Sequence, residues 1–233
     1  MTWWGLVVAV AVAAGEGEAP LEDAATHVRG HLGVGSFGST AFSTLATPFT
    51  PSTTTVVPLL GARYWFPPAA GPLKAFGLEL AAGLNVVNNR TDLGQGISNS
   101  SSVAFAVHAA IPVALLSTRY FLAHLAPEFR HVSYAVPDSS TSQPLVDPTV
   151  PTRTTGTSST DGALRAGGEL FFGFIGVPSL SLEVSLRVGV RSSESRQVFG
   201  PQVALASSVT VLTPAPQDLL QLFTSSFALK YYF

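Results

Sequence analysis

Residues 180–191 read LSLEVSLRVGVR. Leu180, Leu182, Val184, Leu186, Val188 and Val190 fall on one parity, and Ser181, Glu183, Ser185, Arg187, Gly189 and Arg191 on the other. A period of two places the first set on one face of a β-strand and the second on the opposite face. The C-terminus repeats the pattern. Phe223, Ser225, Phe227, Leu229, Tyr231 and Phe233 oppose Thr224, Ser226, Ala228, Lys230 and Tyr232. Outward from these two stretches, alternation delimits eight segments, near 27–38, 54–66, 73–87, 102–116, 119–135, 163–176, 179–191 and 222–233. Globular strands usually run about 5–6 residues. A strand that crosses a bilayer needs about 9–11, and most of these segments exceed that.

Composition sharpens the picture. Of 233 residues, 46% are hydrophobic and only 11% charged, against about 25% charged in an ordinary soluble domain. The chain has no Cys, which excludes a disulfide framework and thiolate chemistry. A net charge of -2 gives no basis for binding nucleic acid. The one apolar run approaching a helical span, 3–14 (WWGLVVAVAVAA), is too short to cross. Small residues follow it, so 1–14 reads as a cleaved secretory signal and 15–26 as a short leader. Residues 27–233 then form one β domain.

The connections alternate in length. Those at 39–53, 88–101, 136–162 and 192–221 are long and rich in Ser, Thr, Pro or Gly, whereas 67–72, 117–118 and 176–178 are short. Long loops at one end and short turns at the other are the pattern of an up-and-down barrel crossing an outer membrane. Tyr64, Trp65, Phe66, Phe76, Tyr120, Phe121 and Tyr231 all fall at the short-turn end, where a girdle of amphipathic rings would meet the membrane–water interface. Pro58, Pro112 and Pro127 interrupt strands and mark bulges or strand ends. Val203, Leu205, Val209 and Val211 also alternate, so ten strands are the alternative to eight.

The terminal Phe233, with aromatic or apolar residues at alternating positions before it, resembles the C-terminal strand signature of bacterial outer-membrane β-barrel proteins. GARYWF (61–66), LELAAGL (78–84) and GGELFFGFIGVPSLSLEVSL (167–186) are similar to small eight-stranded members. The resemblance implies an outer-membrane location with both termini periplasmic. It implies contact with outer-membrane lipid and lipopolysaccharide, and recognition of Phe233 by the barrel-assembly machinery. It implies no activity.

In such a barrel the inward face carries Arg29, Arg63, Glu79, His108, Glu128, Arg130, Arg165, Glu169, Glu183, Arg187 and Lys230, with His31 and His124 beside them. Eight strands leave an interior that side chains fill, and a lone buried charge is costly, so the charges are expected to pair. Hairpin geometry places Arg165 and Glu169 across from Glu183 and Arg187, Arg63 near Glu79, and His108 near Glu128. The resulting expectation is a filled, salt-bridged lumen without a cofactor, metal or catalytic residue, and a structural or surface-interaction role. The alternatives are a narrow channel for ions or small solutes, a lipid- or lipopolysaccharide-modifying enzyme, and a soluble periplasmic β domain. No G-x-S-x-G nucleophile pattern supports the enzyme.

Overall fold

The computed structural model describes residues 23–43, 54–67, 74–92, 97–136, 153–199, 202–212 and 227–233. The signal 1–14 and residues 15–22 of the leader lie outside them. Among the described residues, ten strands follow a short helix, α1 (Ala24–Val28): β1 (Leu32–Ser43), β2 (Thr54–Phe66), β3 (Ala75–Asp92), β4 (Ile97–Ala110), β5 (Val113–Ser117), β6 (Phe121–Val136), β7 (Arg153–Phe172), β8 (Val177–Phe199), β9 (Gln202–Leu212) and β10 (Phe227–Tyr232). Antiparallel pairing runs β10-β1-β2-β3-β4-β6-β7-β8, and β10 pairs back onto β8. This closes an eight-stranded barrel. β4 and β5 both lie between β3 and β6, so they are two halves of one barrel strand. β9 hangs on the far part of β8, outside the closed ring. The extra strand of the ten-strand alternative is therefore a hairpin extension.

The prolines explain two irregularities. Pro112 separates β4 from β5 because it cannot donate to the ladder, and the preceding Ile111 N–H bonds Pro127 O across the gap at 3.1 Å. Pro58 sits opposite Ser39, where the β1–β2 register shifts between Ser36 and Ser39.

Three expected boundaries change. Residues 27–28, expected to open the first strand, are helical as the end of α1, because the Asp23 side chain accepts from Thr26 N at 2.8 Å and caps the helix. Gly30, at φ 76, then turns the chain so that β1 starts at Leu32. The connection expected at 176–178 lies upstream, in a single 3-10 turn at Gly173–Ile175, with Gly176 at φ 86 closing it. Much of the expected long loops is strand. β1 runs into 39–53, β3 and β4 pair out to Asp92↔Ile97, β7 begins at Arg153, and β8 runs to Phe199. Alternating Ser and Thr suit a wet, two-sided sheet, and β-branched Thr favours it.

The inside is not uniformly small and polar. Phe37, Val57, Leu59, Ala81, Ala104, Ala106, Val132 and Tyr134 form a buried cluster within the barrel. A second cluster closes the short-turn end. There Ala24, Ala25 and Val28 of α1 pack on Trp65, Ala75, Ala114, Leu122, Phe171 and Tyr232. Ala24 N–H bonds Thr118 O, and Ala25 N–H bonds Ser117 Oγ, both at 2.8 Å. The helix is thus a plug across the turn end of the barrel.

Candidate functional site: an ion-pair network in the lumen

Above the plug, inward positions of five barrel strands, β2, β3, β7, β8 and β10, converge on one network. Arg63 and Glu79 face each other directly across β2 and β3. Arg63 Nε donates to Glu79 Oε2 at 2.7 Å, Nη1 to Glu169 Oε2 at 2.8 Å and Nη2 to Glu183 Oε2 at 2.7 Å. One planar guanidinium thus ties β2 to β3, β7 and β8, which suits its rigid fork of donors. Arg165 Nη2 donates to both Glu79 oxygens at 2.8 and 2.9 Å, and its Nη1 lies 3.2 Å from Glu183 Oε1. Lys230 of β10 donates to Glu183 and lies 3.6 Å from Glu169 Oε1. Ser181 Oγ and Tyr232 OH donate to Glu169 Oε1 at 2.5 and 2.9 Å. Three cations (Arg63, Arg165, Lys230) therefore meet three carboxylates (Glu79, Glu169, Glu183) with almost no solvent exposure. Balance of this kind is what burial of charge demands.

A second layer lies toward the loop end. Arg130 Nε donates to His108 Nδ1 at 3.1 Å, and His108 Nε2 lies 2.7 Å from Glu79 Oε1. A neutral His108 with its proton on Nε2 satisfies both contacts. Glu128 Oε2 is 3.4 Å from Arg165, while its Oε1 is 3.4 Å from Arg187 and 3.7 Å from Arg130. Asp161 accepts from Arg187 Nη2 at 2.7 Å and from Arg191 Nε at 2.7 Å. The Arg187 and Arg191 side chains are 22% and 25% exposed, against 0–3% for the cations below. The network therefore becomes wetter toward the loop end.

Ten of the expected lumen residues come together: Arg63, Glu79, His108, Glu128, Arg130, Arg165, Glu169, Glu183, Arg187 and Lys230. Arg29 does not join them. It follows α1 and donates from Nη2 to Lys74 O at 2.6 Å, at the turn end. His31 is also outside, exposed, with Nδ1 2.5 Å from Phe233 O. The expected partners change as well. His108 meets Glu79 and Arg130, not Glu128, because Arg130 is the residue opposite it on β6. On β7 and β8, Arg165 faces Arg187 and Glu169 faces Glu183. Like charges opposite one another destabilise an isolated hairpin, and here both pairs are relieved by residues across the lumen. Asp161 was missed because it fell in an expected loop. Its parity with Arg165 and Glu169 was the available signal.

Trp65 leaves the expected girdle. It is fully buried in the plug, donating from Nε1 to Tyr232 OH at 3.2 Å. It shares parity with Arg63, so it points inward with it. The other girdle residues stay on the outer face at the turn end. Phe66 packs on Tyr64 and Phe76 with centroids 4.7 and 5.1 Å apart, and Tyr231 packs on Phe233 at 5.1 Å. Tyr120 meets Phe174 at 6.0 Å, and Phe121 lies over Gly168.

His124, Glu169 and Glu183 bring three possible metal-ligand atoms within 4.8 Å of one another. The His124 ring nitrogens make no hydrogen bond, and Nε2 lies 3.3 Å from Glu183 Oε1. Charge argues against a cation there, since Arg63, Arg165 and Lys230 already neutralise the local carboxylates. A divalent ion would add two uncompensated charges at a dry site. The ring instead fills space, lying against Gly167 and edge-on to Trp65 at 6.2 Å. At the plug, partial burial raises the Asp23 pKa, but the Thr26 hydrogen bonds and the charges of Lys74 and Arg29 outweigh it and hold the carboxyl below its ordinary value.

The arrangement defines a class: a closed antiparallel barrel with an apolar outside, a plugged turn end and an ion-paired interior. No family model matches the chain, and neither the curated proteins nor the solved structures provide a match.

Proposed function

We propose that this chain is an outer-membrane β-barrel protein with a closed lumen, and that its role is structural or surface-interactive rather than catalytic. The observation that carries this reading is the inverted side-chain distribution. Leu60 and Leu84 are 67% and 61% exposed on the outer face, while Arg63, Glu79, Glu169 and Glu183 are fully buried inside. Apolar surface left in water forgoes roughly 25 cal/mol per Å², whereas a bilayer makes the same surface the stable choice. The ring of aromatics at the turn end supports the same reading, as does the placement of Phe233 and α1 at that end. On this reading the turn end is periplasmic, lipid and lipopolysaccharide contact the outer face, and the barrel-assembly machinery reads the β10 end.

Gel mobility of the full-length protein from solubilised envelopes, with and without boiling, tests the membrane reading. A heat-dependent shift in the outer-membrane fraction is expected. Recovery in the soluble periplasm without a shift would overturn it. Planar-bilayer recordings test the lumen. No steady conductance is expected, and reproducible single-channel steps would replace the closed lumen with a narrow ion or solute channel. Lipopolysaccharide and phospholipid incubated with the folded protein should keep their acyl patterns. A changed pattern would replace the structural role with a lipid-modifying enzyme.

A further inference from the structure

His27 and His31 stand outside the lumen network and take no part in the proposed role. Their spacing, four residues, means opposite things on the two kinds of backbone. On a strand it sets two residues about 13 Å apart, too far to share an ion. On a helical turn it brings them onto one face, where two imidazoles form a metal-ligand pair. The second case holds here. His27 lies in the last turn of α1, and His31 N–H bonds Val28 O at 3.0 Å, with Gly30 at φ 76 carrying the chain round. The two imidazole planes are 16° apart and their centroids 6.1 Å. His31 is exposed and His27 half-buried. The other three histidines are engaged elsewhere. His108 and His124 are buried in the lumen, and His131 meets Thr160 Oγ1 at 3.0 Å on the outer face.

The tautomer suits a ligand. A main-chain oxygen can only accept, so the 2.5 Å contact between His31 Nδ1 and Phe233 O makes Nδ1 the donor and leaves the Nε2 lone pair of the neutral ring for a metal. The His27 ring packs edge-on against Phe171 with centroids 6.5 Å apart, and among the described residues no hydrogen bond occupies its nitrogens. We propose that His27 and His31 are the protein ligands of a divalent transition-metal ion of the zinc, nickel and copper group, which staples the plug to the barrel. Imidazole is the ligand these ions share. Two imidazoles on one tetrahedral ion, at about 2.0–2.1 Å per bond, have centroids roughly 5 Å apart. The ion-free pair is about 1 Å wider than that, and a χ rotation of a solvent-facing ring closes the difference. His27 rides on α1, while His31 directly precedes β1 and is tied to the end of β10 through Phe233. One ion therefore joins the plug to both strands of the closing seam. The charge objection that holds for His124, Glu169 and Glu183 does not hold here. The rim is wet, so water completes the coordination shell and counter-ions screen the charge. Asp23 lies one helical turn before His27, and Arg29 turns its guanidinium to Lys74 O at 2.6 Å. The pair exists whichever solvent surrounds the barrel, so the site does not depend on the proposed location.

Zinc titrated into the untagged full-length protein in detergent micelles tests the site, with hydrogen exchange at Ala24–Val28 as a second readout. One ion per chain should bind at micromolar zinc. Magnesium, which prefers oxygen ligands, should not displace it. With zinc at about 100 times its dissociation constant, exchange in the plug should slow by up to about 100-fold, because opening the plug separates the two ligands. His27→Gln and His31→Gln should each weaken zinc binding by at least about tenfold and abolish the protection, while heat-dependent gel mobility stays that of the wild type. His131→Gln, on the outer face, should leave both readouts unchanged. No zinc bound below about 1 mM overturns the proposal, as does binding that survives both substitutions. Loss of zinc in His124→Gln but not in His27→Gln overturns it too, by moving the ion to the lumen cluster of His124, Glu169 and Glu183. Zinc held by His27 and His31 without slower exchange in the plug would overturn the staple.

Discussion

Replacing Arg63 by Met tests the lumen most directly. The substitution removes three charge-assisted contacts, to Glu79, Glu169 and Glu183, at 2.7–2.8 Å. At about 1.5–3 kcal/mol each, their gross loss is roughly 5–9 kcal/mol. Every carboxylate keeps a donor, however. Glu79 retains Arg165 and His108, Glu169 retains Lys230, Ser181 and Tyr232, and Glu183 retains Lys230 and Arg165. What remains is one uncompensated negative charge at a dry site, and breaking a buried pair typically costs about 3–5 kcal/mol. A loss of about 4 kcal/mol is therefore expected. Denaturant titration of the vesicle-inserted protein measures it, with emission from Trp65, whose ring lies 5.4 Å below the Arg63 guanidinium carbon. The double variant Arg63→Met, Glu79→Gln restores two cations against two carboxylates and should be more stable than the single variant. A single-variant loss below about 1 kcal/mol, the range of solvent-screened pairs, would refute a dry, mutually neutralised lumen. Additive losses in the double variant would refute it equally.

Gly167→Ala places a Cβ 2.5 Å from the His124 ring and 3.1 Å from Glu183 Oε1, so overpacking should lower stability by about 1–3 kcal/mol in the same titration, and an unchanged midpoint would mean that His124 has room to move. Deleting Phe233, which bonds Leu32 O through its N–H at 3.0 Å, should sharply reduce the heat-shifted form in the outer-membrane fraction, and wild-type amounts would refute its role in assembly. Asp23→Ala should loosen the plug by about 1 kcal/mol at neutral pH, read as faster hydrogen exchange at Ala24–Val28. Because the folded Asp23 carboxyl sits below its ordinary 3.8, its contribution is fully present above that value and is lost as pH falls through the lower folded pKa. The wild type and the variant should then exchange alike, and a difference persisting in acid would show that the cap does not act through the carboxylate.

The β7–β8 hairpin separates what is local from what is not. Arg165 faces Arg187 and Glu169 faces Glu183, so this hairpin alone is electrostatically frustrated. Closure supplies Arg63 from β2, Glu79 from β3, Glu128 from β6 and Lys230 from β10. The seam that completes the ring is short, four register pairs between β1 and β10 and five between β10 and β8, and Lys230 lies in both ladders. The lumen charges thus favour the closed barrel over partly paired sheets.

Parity alone determined the strands, their two faces and the residues that turn inward, because a side-chain period of two is a property of the backbone. The short turns and the outer aromatics were legible for the same reason. Only closure decided which charges pair, since residues 106 and 120 positions apart, such as Arg63 with Glu169 and Glu183, are brought together by the circumference of the barrel and not by any local spacing. Helix α1 and the exclusion of Arg29 were likewise tertiary outcomes, whereas the inward turn of Trp65 follows from its parity with Arg63. A five-residue helix has little stability of its own. It exists where the open end of the barrel offers Thr118 O, Ser117 Oγ and an apolar floor to receive it.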